Sequence, residues 1–216
     1  MTAPEPLTDL APAAWLREHS RESWRTVGDL VPPGYDAHAI VRHRPDQRGG
    51  PPIACLDRRS LAALRDVLVQ HTGTPDAGWY ALWEGHPGLP TAWQKARRTP
   101  IAGRLMLLFA VPVAGVVELA ADLADLQWSL DVQGQSWSPK PTPGMLAHLA
   151  AQARAEGAVR SPNAWWPEDR SWFTSTDVDG DDTVVAGSAA AVADVLAHPD
   201  LDAVAVSPDD PMPPRD

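Results

Sequence analysis

Trp79 to Trp83 reads Trp-Tyr-Ala-Leu-Trp, an apolar run closed by Glu84. Successive side chains of a strand point to opposite faces, so this run fits a central strand covered on both sides. Arg104 to Val113, RLMLLFAVPV, is the strongest strand candidate, and Pro112 confines its far end to an edge or terminus. With 216 residues, 44% hydrophobic and 21% charged, the chain can bury a sizeable core, expected as one domain. This composition excludes a collagen-like, disulfide-framework or wholly disordered chain.

The other elements mix without a regular strand–helix–strand rhythm. A helix is expected from Pro12 to about Arg25, with Trp15, Leu16 and His19 on one face. Tyr35 to His43 fits a strand, and residues 44–52 a loop. Ser60 is expected to cap a helix carrying Leu61, Leu64, Leu68 and His71. Residues 115–126 and 144–156 have helical patterns, the second opened by Thr142-Pro143 after a Pro/Ser/Gln-rich loop. Trp172 to Val178 and Thr183 to Ala186 form a hairpin about Asp179-Gly180, then Ser188 caps a helix to Ala197. Leu201 to Val206 reads as a last strand. The expected class is α+β, a mixed or antiparallel sheet with helices packed on it. Residues 8–207 form the domain, between a flexible start at 1–7 and a mobile, acidic, proline-rich tail at 208–216.

The formal net charge is −10, which argues against nucleic acid as a partner. The single Cys55 cannot form an internal disulfide and suits a reducing cytoplasm. No signal-peptide pattern opens the sequence, and the longest apolar run, Leu105 to Val117, is shorter than a membrane span of about 20 residues. The expected setting is cytoplasmic, away from membranes.

Motifs of known chemistry are weak or missing. The seven His are scattered without zinc spacing, and read as surface or core residues. DVDGDD, Asp177 to Asp182, invites a calcium reading through Asp177, Asp179 and Asp181. Asp182 stands where a calcium loop needs glycine, and Ser188 where it needs glutamate, so a solvated hairpin turn explains the run better. There is no GxSxG elbow and no glycine-rich phosphate loop, so no cofactor is expected.

The segment Ser161 to Asp177, SPNAWWPEDRSWFTSTD, draws more interest. It sets Trp165, Trp166 and Trp172 beside Glu168, Asp169 and Arg170. Ten Trp against two Phe and two Tyr is unusual, and half of them fall in this segment and in Trp79/Trp83. In an extended segment, adjacent Trp165 and Trp166 cannot share one core, so one is expected to reach a cleft, an interface or a neighbouring loop. Two arrangements fit: a satellite core pinned by an Asp169–Arg170 ion pair, or an aromatic platform with Arg170 orienting a ligand.

The segments GWYALWEG, SPNAWWPEDRSWFTSTDVD and VVAGS (Val184 to Ser188) resemble an uncharacterised family of GC-rich Gram-positive bacteria. The resemblance runs from about Pro33 to Pro211 and brings no catalytic residue with it. It implies that the two Trp-rich segments meet in space, with Glu84 and His86 near Trp165 and Arg170.

Two functions fit these residues. One is a binding module for an unknown protein or small molecule, using Trp165, Trp166, Arg170, Glu84 and His86. The other is an enzyme in which Glu84 and Asp169 or Asp177 divide acid and base roles.

Overall fold

The computed structural model describes residues 4–19, 24–44, 55–86, 89–124, 142, 144–145 and 159–213. Residues 45–52 of the 44–52 loop, most of the Pro/Ser/Gln-rich loop and most of the 144–156 helix lie outside them. At the start of that helix, the Met145 N–H donates to Thr142 Oγ1 at 3.3 Å, the expected cap.

The described strands are β1 (Ala37–Arg42), β2 (Gly78–Trp83), β3 (Thr99–Ile101), β4 (Arg104–Val111), β5 (Ala164–Pro167), β6 (Trp172–Thr176), β7 (Asp182–Gly187) and β8 (Ala203–Val206). They form one sheet in the order β3-β4-β2-β5-β6-β7-β1-β8, antiparallel throughout. The α+β expectation holds, including the hairpin β6–β7 followed by a helix. β2 is central as its apolar run implied, between β4 and β5. Gly78 is needed there because a Cβ would stand 2.9 Å from the Val111 carbonyl oxygen. The two Trp-rich segments do meet: Trp79 pairs with Trp166, and Tyr80 with Trp165.

Each face of the sheet carries its own core. On the first lie Ala39, Tyr80, Leu82, Leu107, Phe109, Trp165, Trp172 and Val185. Among the described residues, three helices cover it: α2 (Arg58–Leu68), α3 (residues 116–124) and α4 (Ala189–Ala197). Asp57, not Ser60, caps α2, accepting from the N–H groups of Arg59 and Ser60. Ser60 sits at the third helical position, where its hydroxyl donates back to Asp57 at 2.6 Å. Ser188 caps α4 as expected, accepting from the Ala191 N–H at 3.2 Å.

Ile40, Ala81, Met106, Leu108, Trp166, Phe173, Val184 and Ala186 occupy the second face. A 3-10 helix (Ala11–His19), the one-turn helix α1 (Val27–Leu30) and Met212 lie over them. Leu10, Ala13 and Leu16 are buried at intervals of three, the spacing that aligns side chains on a 3-10 helix. The α-helical face expected for Trp15 and Leu16 is therefore corrected. Described residues near each end of the chain are bonded to the rest of the fold. Leu7 N–H bonds the Leu108 carbonyl at 2.7 Å. Residues 208–212 run beside 25–28, through Val27 N–H to Asp210 O at 3.0 Å, Gly28 N–H to Pro208 O at 2.8 Å and Met212 N–H to Arg25 O at 2.9 Å.

Candidate functional site

Trp165, Trp166 and Trp172 are all fully buried. Trp165 and Trp166 point to opposite faces of β5, and both faces are covered, so each enters a different core. The expectation that one of them reaches a cleft assumed a single core and is corrected. Trp165 packs edge-on to Trp172 at 4.5 Å, whereas Trp166 stacks on Phe173 at 5.6 Å and meets Trp15 edge-on. No platform is formed there.

The proposed polar partners are also divided. Glu84 follows β2 and is ion-paired with Arg98. His86 is buried beside Asn163, with Nε2 3.1 Å from Oδ1, and its Nδ1 lies 3.3 Å from an Arg160 guanidinium nitrogen. Arg170 lies beyond the other end of β5, with its guanidinium 4.7 Å from the Trp15 ring centre. Asp169 is not its ion-pair partner: the carboxylate accepts from Ser171 N–H at 3.0 Å, Gly73 N–H at 2.6 Å and Thr72 Oγ1 at 2.9 Å. Burial pushes the Asp169 pKa up, but those hydrogen bonds outweigh it and hold the group below its ordinary range.

Gly78 pairs with Pro167, so Glu84 and Asp169 lie toward opposite ends of the sheet. At about 3.4 Å per residue they are roughly 20 Å or more apart, beyond the roughly 10 Å reach of a carboxylate pair. Asp177 shares the Glu84 end, but β5 stands between their strands. Asp179 bonds Arg104 at 2.8 Å. Among the described residues no group of three or more His, Cys, Asp or Glu is arranged to hold a metal ion. The calcium reading of Asp177, Asp179 and Asp181 gains nothing from the fold.

What the fold does build lies under the cover of the second face. The paired segments 25–28 and 208–212 cross that face, and a cleft opens on either side of them. One, of about 280 Å³, is lined by Thr26, Val31, Pro32, Tyr35, His38 and Pro208, among others, with Glu18 and Asp209 also in its wall. The other, of about 240 Å³, is lined by Trp24, Asp177, Asp181, Asp182 and Met212, with Arg25, Gly180 and Pro213.

His38 is the distinctive group of the first cleft. β1 directs it to the second face, between Ala186 of β7 and Val206 of β8. Its residue surface is 6% exposed, yet its ring forms no hydrogen bond with a described residue. Burial lowers its pKa, so the ring is neutral at neutral pH, one nitrogen donating and the other accepting. Tyr35 donates from its hydroxyl to the Arg170 carbonyl at 3.1 Å, and burial raises its pKa, so the phenol stays protonated. Arg170 holds a left-handed backbone, φ 56°, which turns the chain between β5 and β6. This is its connection to the cleft: it positions Tyr35.

No known protein family, curated protein or solved structure matches this chain. The geometry therefore stands alone as the guide to function. No helix among the described residues is long and apolar enough to cross a membrane.

Sequence reasoning passed over His38, Tyr35, Trp24 and Asp182 as site residues. A signal existed for two of them. His38 interrupts the apolar strand Ala37 to Val41, and Asp182 is the aspartate that breaks the calcium-loop pattern. Trp24 and Tyr35 gave none, because their role depends on the segments that fold over them.

Proposed function

We propose that the protein is a binding module and that the His38 cleft holds its ligand. The observation carrying this is the His38 imidazole, largely buried, neutral and without a hydrogen bond to a described residue, in a concave site whose wall mixes polar groups with Val31, Pro32, Pro208 and Tyr35. The ring nitrogens open into the cleft, where a ligand with a matching donor and acceptor can bond them. Pro32, Val31, Pro208 and the Tyr35 ring suit an apolar ligand body, while His38 offers one donor and one acceptor. The occupant is a small molecule or a side chain of a protein partner. A cytoplasmic setting agrees with the free Cys55, and membership of the resembled bacterial family remains part of the reading. The alternative of a carboxylate acid–base enzyme loses support, since Glu84 is ion-paired and Asp169 braces a turn.

The test is a fragment library of amides, carboxylates and heteroaromatics, followed by protein NMR. Hits are expected to shift His38 and Tyr35 resonances, and His38→Phe, which removes both ring nitrogens at similar size, is expected to weaken them at least about tenfold, some 1.4 kcal/mol. Hits that bind elsewhere, or bind His38→Phe as tightly, would overturn the assignment.

A further inference from the structure

The second cleft offers different chemistry. Asp182, the first residue of β7, faces the second core side in line with Val184 and Ala186. It is only 7% exposed, and no hydrogen bond or ion pair to its carboxylate forms among the described residues. Arg42 is its register partner on β1, but the Arg42 guanidinium reaches Asp202 at 3.7 Å instead. A buried carboxylate with no direct ion pair is unfavourable, and here burial and the Asp181 charge are only partly offset by the nearby Arg42 charge. Asp177, also 7% exposed, and Asp181 line the same cleft, while Trp24, Met212 and Pro213 supply an apolar wall.

Trp24 is held for this position. Its indole N–H donates to the Ala102 carbonyl at 2.7 Å, in the turn joining β3 to β4. Ala102 and Gly103 both have positive φ, 45° and 71°, the conformation of a tight two-residue hairpin. The same turn leads to Arg104, whose guanidinium lies 4.3 Å from the Trp24 ring centre and 5.8 Å from that of Trp83. The indole thus already carries one cation, tied to Asp179.

We propose that this cleft binds an alkylammonium or guanidinium group on a short aliphatic stem, with Asp182 as its ion-pair acceptor and Trp24 beside the stem. Such a group occurs on lysine and arginine side chains of a partner and on free polyamines. The charged groups facing Asp182 are Asp181 and Asp177 from the turn, Asp202 before β8, Arg42 from β1 and Arg25 before α1. Burial first, and then Asp181, pushes the Asp182 pKa up to about 6. That folded value lies above the ordinary one, so the stability linked to it is full below pH 3.8 and is lost as pH rises through about 6. A site that is least comfortable near neutrality is one that a cation can relieve.

The experiment is calorimetric titration at pH 7.5 with butylammonium, agmatine and the peptide Gly-Gly-Lys-Gly-Gly, on the full chain and on Asp182→Asn. Saturable binding with a Kd on the order of 1 mM or tighter is expected, weakened at least about tenfold in D182N and at about pH 5 or below. Removing the desolvated charge should also raise the Tm of D182N at pH 7.5, so lost binding is not mistaken for unfolding. A peptide that binds more tightly than the free amines points to a protein partner, and the reverse order to a polyamine; both support the site. Absence of saturation at about 10 mM, undiminished binding by D182N, or calcium heat in place of amine heat would overturn it.

Discussion

Trp166→Ala is expected to remove about 3–5 kcal/mol of folding stability, as large aromatic truncations in tight cores do. Domains of this size commonly have about 5–15 kcal/mol in all. Trp166 is fully buried, stacked on Phe173 and set edge-on to Trp15, which belongs to a different layer of the chain. Its loss opens a cavity between the sheet and the N-terminal cover. Trp165→Ala should cost a similar amount by emptying the opposite core beside Trp172. Urea denaturation monitored by far-UV circular dichroism measures both. A change below about 1 kcal/mol in either variant would mean that its indole is solvent-facing, as a ligand platform requires.

Acid is the second large perturbation, and His86 is its centre. Asn163 Oδ1 already accepts the Trp83 N–H at 2.9 Å, so its contact with His86 is a hydrogen bond donated by Nε2–H. Nδ1 then faces the Arg160 guanidinium and can only accept. A second proton at Nδ1 must displace that donor and charge a buried ring. Burial, followed by the Arg160 charge, accordingly lowers the His86 pKa from 6.5 to about 4. The folded value is depressed, so its stabilisation is present above pH 6.5 and is lost as pH falls through about 4, a total of about 3 kcal/mol. Asp182 works the other way across much of this window, so the slope is cleanest in a D182N background. His86→Gln in that background should flatten the stability profile between pH 6.5 and pH 4. An unchanged slope would show that His86 is not the responsible group.

Strands with alternating or continuous apolar side chains were legible, as were the hairpin at Asp179-Gly180 and the Ser188 cap, because each is fixed by a few adjacent residues. The pairing of β2 with β5 agreed with the juxtaposition implied by the family resemblance. The second core was not legible. Its cover is assembled from Leu10 to Leu16, α1 and residues 208–212, none of which is strongly apolar by itself. Without that cover, Trp165 and Trp166 have only one core to share, and one of them is left to reach a cleft, an interface or a neighbouring loop. The clefts were hidden for the same reason, since both are gaps beside a cover made from segments far apart in sequence. His86 and Asn163 show the converse: their buried polar network has no sequence spacing to announce it.

The strand order has a consequence for how the molecule comes into being. β1 lies between β7 and β8, and Arg42 finds its partner in Asp182, 182 − 42 = 140 residues later. During synthesis at about 5–20 residues per second, that interval lasts on the order of ten seconds. β2 to β6 can pair meanwhile, but the Ala-His-Ala-Ile-Val segment must wait, its edges open to other chains. Such distant pairing also slows refolding of the finished polypeptide. The nascent protein is therefore most vulnerable to misassociation through β1, and a chaperone that shields residues 37–42 would act where the topology leaves the longest delay.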